Sequence, residues 1–150
     1  MFKLVQEEEA AEFLGFKVGA QEFCIDVQHL EEIIYIPHLS KIPNVPSHIE
    51  GAINLRGHIL HVVNMRKWFK LQWIPFTEKS RILVVDLDKA KFGLLVDEVT
   101  EIIKKDVVKS WENPGLFQEE KEVAYLKSVI SKEKQLILEI DPKIIQNEVV

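Results

Sequence analysis

The chain has 150 residues, 47% of them apolar and 29% charged, with a net charge of −5. That is one domain, or two small subdomains sharing a core, able to bury roughly 70% of its unfolded surface without a metal or disulfide staple. The acidic balance argues against nucleic acid as a partner, because the densest cations, Lys104-Lys105-Lys109 and Arg66-Lys67-Lys70, have acids close by.

The N-terminal Met1-Phe2-Lys3-Leu4-Val5 runs straight into Gln6-Glu7-Glu8-Glu9, with neither the apolar stretch nor the small-residue site of a signal peptide. Leu14, Phe16 and Val18 alternate with Gly15 and Lys17. After Gly19-Ala20, Phe23, Ile25 and Val27 alternate with Cys24 and Asp26. This predicts a hairpin with glycine at the turn. The lone cysteine cannot form an internal disulfide and reads as a small hydrophobe in a reducing compartment. A short helix is predicted after Val27. Pro37, Pro43 and Pro46 then break the strand rhythm and enforce an extended connection.

Further strands are predicted over 52–56, 59–64, 81–87, 92–96, 123–131 and 135–140. Short helices are predicted near Arg66–Phe69 and from Asp141, where Pro142 suits a first turn. Gly51 and Gly57 bracket Ala52-Ile53-Asn54-Leu55-Arg56, and Arg56 at the corner could reach a partner's carboxylate with two prongs. Trp68 reads as sealing a core edge, and Trp111 as a loop residue. The whole pattern fits a sandwich or β-barrels. No stretch is long and apolar enough to span a bilayer.

The sequence also echoes itself. Shifting Phe23–Ile34 by 69 positions lays it on Phe92–Ile103, so that Phe23 meets Phe92, Val27 meets Val96 and Glu32 meets Glu101. Leu30 falls on Val99 and Ile33 on Ile102. The echo predicts two related half-barrels, side by side, with equivalent residues facing each other across a groove.

Nothing in the sequence asks for a reaction. His58 and His61 are three apart on a predicted strand and so point to opposite faces, and His29, His38 and His48 lie elsewhere. No metal site, cofactor or catalytic residue is expected. Asp86 and Asp88 read as flanks of a hairpin turn.

Ile42-Pro43-Asn44-Val45-Pro46, followed by Gly51, Asn54-Leu55-Arg56-Gly57 and a strand ending in Asn64 before Arg66, strongly resembles the signature of the CheW family. Leu14-Gly15-Phe16 resembles the family's opening hairpin, and Gly93-Leu94-Leu95-Val96-Asp97-Glu98-Val99 its second-half motif. His61 stands where the family usually has proline, and Ser128 where it usually has glycine.

The resemblance implies a mainly β fold over residues 1–150: two pseudo-repeated, intertwined, five-stranded SH3-like barrels with a few short helices, divided roughly at 65–80. It implies a cytoplasmic, non-enzymatic adaptor at receptor arrays on the inner face of the membrane. Its partners would be the regulatory domain of a CheA-type histidine kinase and methyl-accepting chemotaxis receptors, without membrane insertion. The receptor groove it implies comprises Val27, Leu30, Glu32, Arg56, Val99 and Ile102, with Pro43, Pro46, Gly51, Asn54, Leu55 and Gly57 as structural motif residues. A role in a surface-motility pathway is the alternative within the family. A small barrel binding a ligand or nucleic acid is the alternative outside it, and the acidic balance and missing stacking platform weigh against that.

Overall fold

The computed structural model describes residues 2–3, 12–112 and 125–149. The predicted Val123 and Ala124, and the acidic run after Val5, lie outside them. Strands β2 (Glu12–Val18) and β3 (Gln21–Asp26) form the expected antiparallel hairpin, with Gly19 at φ 63° in its turn. A 3₁₀ turn, Val27–His29, follows where the short helix is predicted; the Asp26 carboxylate accepts from the Gln28 N–H at 3.0 Å. The chain then enters β4 (Leu30–Ile34), β5 (Ile49–Leu55), β6 (His58–Asn64) and α1 (Met65–Trp68). After these come β7 (Arg81–Asp86), β8 (Lys91–Val96), β9 (Glu98–Lys104), β10 (Lys109–Glu112), β11 (Leu126–Lys132), β12 (Gln135–Ile140) and α2 (Pro142–Gln146). A two-residue strand, β1 (Phe2–Lys3), pairs with β4.

Two six-stranded sheets result. Sheet A has the order β1-β4-β7-β8-β6-β5, and sheet B the order β10-β11-β12-β3-β2-β9. Removing β1 and β10 leaves two five-stranded SH3-like units in the same order, since β4-β7-β8-β6-β5 matches β9-β2-β3-β12-β11. The echo of 69 positions therefore extends back to put Glu12 of β2 on Arg81 of β7. From the next hairpin onward the offset is 77: Ile49 of β5 falls on Leu126 of β11, and the helix cap Asn64 on Asp141.

The decisive feature is an exchange. β3 belongs to sheet B but its successor β4 pairs in sheet A, whereas β8 belongs to sheet A and its successor β9 pairs in sheet B. The crossings fall at Val27–His29 and Asp97, not within 65–80. That segment forms α1 and its connection to β7, and it also reaches the sheet B hairpin, where the Phe69 ring stacks on Phe23 at 4.6 Å. Each unit is completed by a strand that the other hairpin supplies.

Exchange also explains the burial. A central cluster between the sheets includes Phe16, Phe23, Ile25, Leu30, Val63, Met65, Leu83, Phe92, Leu94 and Ile145. Sheet A wraps a second core of Ile34, Ile53, Leu60, Val62, Ile82, Val84 and Leu95, and sheet B a third of Phe13, Cys24, Ile103, Ile130 and Ile137. Strands β7 and β8 touch two cores each, so their apolar runs do not alternate with polar residues. Each fully buried Val, Leu, Ile or Phe contributes roughly 1.5–3 kcal/mol.

β1, β4, β9 and β10 lie outside the strands predicted from sequence, and Trp111 sits on β10 instead of in a loop, 52% exposed. β4 and β9 lack clean alternation because each carries a bulge, at Glu31 and at its equivalent near Thr100.

Gly51 and Ser128 occupy equivalent places beside the bulges of β5 and β11. A Cβ on Gly51 would stand 2.6 Å from the Ser40 carbonyl oxygen, across the Ser40–Ala52 bridge. Ser128 fits because its hydroxyl turns inward and donates to the Glu139 carboxylate at 2.7 Å. Cys24 in turn is equivalent to Gly93, whose own added Cβ would meet Ile82 at 2.7 Å. Both are small residues on central strands. Burial, then the carboxylates of Glu139, Glu22 and Asp26, push the Cys24 thiol far up, so it stays protonated and inert.

Gly51→Ala is expected to destabilise the fold by about 1–3 kcal/mol through backbone overpacking, read from urea unfolding midpoints. Burial raises the Glu139 pKa above its ordinary value near 4.5, against the opposing hydrogen bond from Ser128. The contribution of this carboxyl to stability is therefore full below the unfolded value and is lost as pH rises through the folded one. Glu139→Gln is expected to raise the unfolding midpoint at pH 8 but hardly at pH 4; equal shifts at both would show that the carboxyl is not desolvated.

Candidate functional site

The turn between β5 and β6 is two residues long, with Arg56 at φ 50° and Gly57 at φ 83°. Both residues are left-handed, as a tight hairpin turn matching strand twist requires. Asn54 steadies it, its side-chain oxygen accepting from the Gly57 N–H at 3.1 Å, and Leu55 packs against the sheet A core. Pro43 and Pro46 lie in the extended approach to β5, where the Pro46 carbonyl accepts from Ile49 at 3.0 Å. Together these motif residues aim one side chain.

Arg56 and Glu32, both expected at the groove, meet inside the protein. They pair with each other: Nη1 donates to Oε1 and Nη2 to Oε2, both at 2.6 Å. Glu32 is 1% exposed, while the Arg56 side chain is 56% exposed. The contact is a two-pronged fork with a buried carboxylate and a guanidinium whose other edge faces solvent. Hydrogen bonding to Glu32 holds the guanidinium pKa above its ordinary value.

The pair also spans a seam. Glu32 lies on β4 and Arg56 follows β5, the first and last strands of the five-stranded unit in sheet A. In sheet B the equivalent Glu101, on β9, pairs with Lys132 at the end of β11. Each barrel is thus bridged by an ion pair where no strand ladder closes it. The echo of Glu32 in Glu101 was legible in the sequence, but Lys132 was missed because it falls on Leu55, one residue short of Arg56, whose own equivalent is Glu133.

The remaining expected groove residues divide by burial. Val27 and Leu30 belong to the central cluster and show almost no surface. Val99 packs against that cluster from β9, while Ile102, on the same edge strand, is 38% exposed. The structure therefore gathers Val27, Leu30 and Val99 at the crossover, with only Val99 and Ile102 offering apolar surface.

A second hub was not foreseen. At the β8–β9 crossing, Asp97 accepts from Arg66 Nε at 2.9 Å and from the Gly19 N–H at 2.8 Å, tying α1 to the first hairpin. Trp68 packs against the central cluster as expected, its ring edge-on to His48 at 5.1 Å. His48 Nε2 lies 2.9 Å from the Glu148 carbonyl oxygen and His61 Nδ1 3.2 Å from that of Val149. Both histidines therefore serve the C-terminal backbone. No cluster of three potential ligands in metal-binding geometry occurs among the described residues, and no helix among them is long and apolar enough to cross a membrane.

The profile of the CheW-like domain matches residues 12–149. The chain belongs to that family. It is 32% identical over 101 residues to the chemotaxis protein CheW of Klebsiella aerogenes, an alignment covering 67% of this chain and 61% of that one. To the chemotaxis protein CheW of Helicobacter pylori it is 29% identical over 102 residues, covering 68% and 62%. The match thus spans about three fifths of each of these curated relatives. The crystal structure of the scaffolding protein TtCheW from Thermoanaerobacter tengcongensis superposes with a TM-score of 0.76 at 26% identity, over 89% of this chain and 90% of that one. The agreement extends to both barrels of this CheW-like chain.

The buried Glu32 makes a thermodynamic cycle informative. Arg56→Ala is expected to lower the unfolding midpoint, because it strands a buried carboxylate. In a Glu32→Gln background the same substitution is expected to cost much less. Equal losses in the two backgrounds would mean that the fork contributes nothing to the seam.

Proposed function

We propose that the chain is a non-enzymatic coupling protein that joins the regulatory domain of a CheA-type histidine kinase to the cytoplasmic tips of chemoreceptors. Its place would be the cytoplasm, at receptor arrays. The observation that carries this reading is Arg56, held by a buried carboxylate with its outer edge free, at a family-defining turn. A charge anchored in this way loses little conformational entropy when a partner's carboxylate approaches.

The receptor-facing surface in this proposal has Arg56 as its charged rim and Val99 and Ile102 as its apolar floor. Val27 and Leu30 support that floor from within the core, and Glu32 fixes the guanidinium. A receptor tip is a helical hairpin, and exposed apolar residues together with an anchored cation suit a helix with an acidic flank.

Two titrations of the purified chain test the proposal. Calorimetry with the cognate kinase's regulatory domain at micromolar concentration is expected to show saturable heat; heat equal to dilution would count against coupling. Arg56→Glu is expected to weaken binding of a receptor hairpin at least tenfold, with a smaller loss at high salt where repulsion is screened. Unchanged receptor affinity in a folded Arg56→Glu variant would place the groove elsewhere.

A further inference from the structure

Because the two barrels repeat each other, their equivalent edges can be compared residue by residue. The offset of 69 sets Glu32 and Ile33 of β4 on Glu101 and Ile102 of β9. Both strands carry a bulge, and each pairs along one side with the first strand of a hairpin, β4 with β7 and β9 with β2. Each acid also meets a base from the far side of its seam, Arg56 or Lys132. Their burial nevertheless differs. Glu32 is 1% exposed and Ile33 9%, whereas the Glu101 side chain is 41% exposed and Ile102 38%.

One difference in the backbone accompanies this contrast. β1 pairs antiparallel with the outer edge of β4, Phe2 across from Ile33 and Lys3 across from Glu32. β9 ends its own sheet, and no strand lies on its outer edge among the described residues. The two residues that β1 opposes are thus the two whose burial differs from that of their equivalents. A backbone laid along an open edge takes water from that edge and answers its outward N–H and C=O groups. With water excluded, the charges of the Glu32–Arg56 fork are screened less and attract more strongly. Without β1 the pair would resemble Glu101 with Lys132, an ion pair in contact with solvent and correspondingly weak.

The ladder that does this is short. Two residue pairs at the edge of a sheet open far more readily than the strands behind them. We infer that β1 is a positioning latch for Arg56: docked on β4 it keeps the Glu32 carboxylate dry and the guanidinium fixed, and drawn away from β4 it loosens both. Any event that captures β1 therefore lowers affinity for the receptor without touching the receptor-facing surface. That consequence rests on the coupling reading; the latch itself rests on the contrast between the two edges.

The test uses the full-length chain with Phe2→Pro and Lys3→Pro together, which removes both β1 donors from the ladder. Arg56→Ala is made in this chain and in the wild type, and urea midpoints are read beside calorimetric affinity for a receptor hairpin. A cooperative transition shows that the double-proline chain folds. The midpoint shift caused by Arg56→Ala is expected to fall at least twofold in it, and its receptor affinity to drop at least threefold. Lys3→Thr, which keeps the ladder and removes the charge, is expected to behave as wild type. An Arg56→Ala shift as large without the ladder as with it overturns the inference and leaves the coupling reading standing. Receptor affinity that holds or rises while the fork weakens overturns it too. A loss in Lys3→Thr equal to that in the double-proline chain would make the charge responsible instead of the strand, and counts against us. A wild-type chain that binds no receptor sinks the coupling reading, and the midpoints still decide the latch. If the double-proline chain does not fold, Lys3→Pro alone takes its place with the same outcomes.

Discussion

The structure depends on the exchange of β4 and β9. Each strand leaves the hairpin that precedes it and completes the other sheet, so neither barrel can close without chain from its neighbour. The crossings force Val27, Leu30 and Val99 into the space between the sheets, where they join the central cluster. Three apolar cores then share strands, and loosening one exposes another. Such sharing makes the pair of barrels a single cooperative unit, although each has its own hydrophobic interior.

Within that frame the two barrels solve one problem differently. The exchanged strand stands at an open seam in each, and an acid on it meets a base from the strand opposite: Glu32 with Arg56, Glu101 with Lys132. The first acid is buried and the second half-exposed, so only the first pair has a desolvated carboxylate whose partner cannot be spared. The interiors diverge as well. Sheet A wraps an aliphatic core, whereas sheet B also encloses Glu22, Asp26 and Glu139, answered by Thr100, Lys105 and Ser128. Every such group needs its partner, and Ser128 in place of glycine supplies one of them.

The division of surfaces follows from the same architecture. Sheet A presents an anchored cation at one end and, at the other, exposed Tyr35 and Phe76 with the Arg81 guanidinium 4.2 Å above the Tyr35 ring. A small barrel that offers different chemistry at opposite ends can bridge two partners without moving. The coupling role proposed above would need such a separation.

The sequence by itself determined more of the fold than of the site. The alternation of Leu14, Phe16 and Val18 and the glycine at position 19 specify the first hairpin locally. Asp141 before Pro142 sets the start of the last helix, its carboxylate accepting from the Lys143 N–H at 3.0 Å. The Phe23 and Phe92 echo announced two related units, and the Asn54-Leu55-Arg56-Gly57 turn announced the family. What tertiary structure decided was where the exchanged strands go. β4 and β9 carry bulges that blur their period, and sheet membership is set by pairings between residues far apart in the chain, which no local pattern encodes. For the same reason the sequence could mark Arg56 and Glu32 as important but not as partners of each other. Their fork exists only because strand exchange brings β4 to the edge opposite β5, and burial there turns one carboxylate into the fixed counterion of an exposed cation.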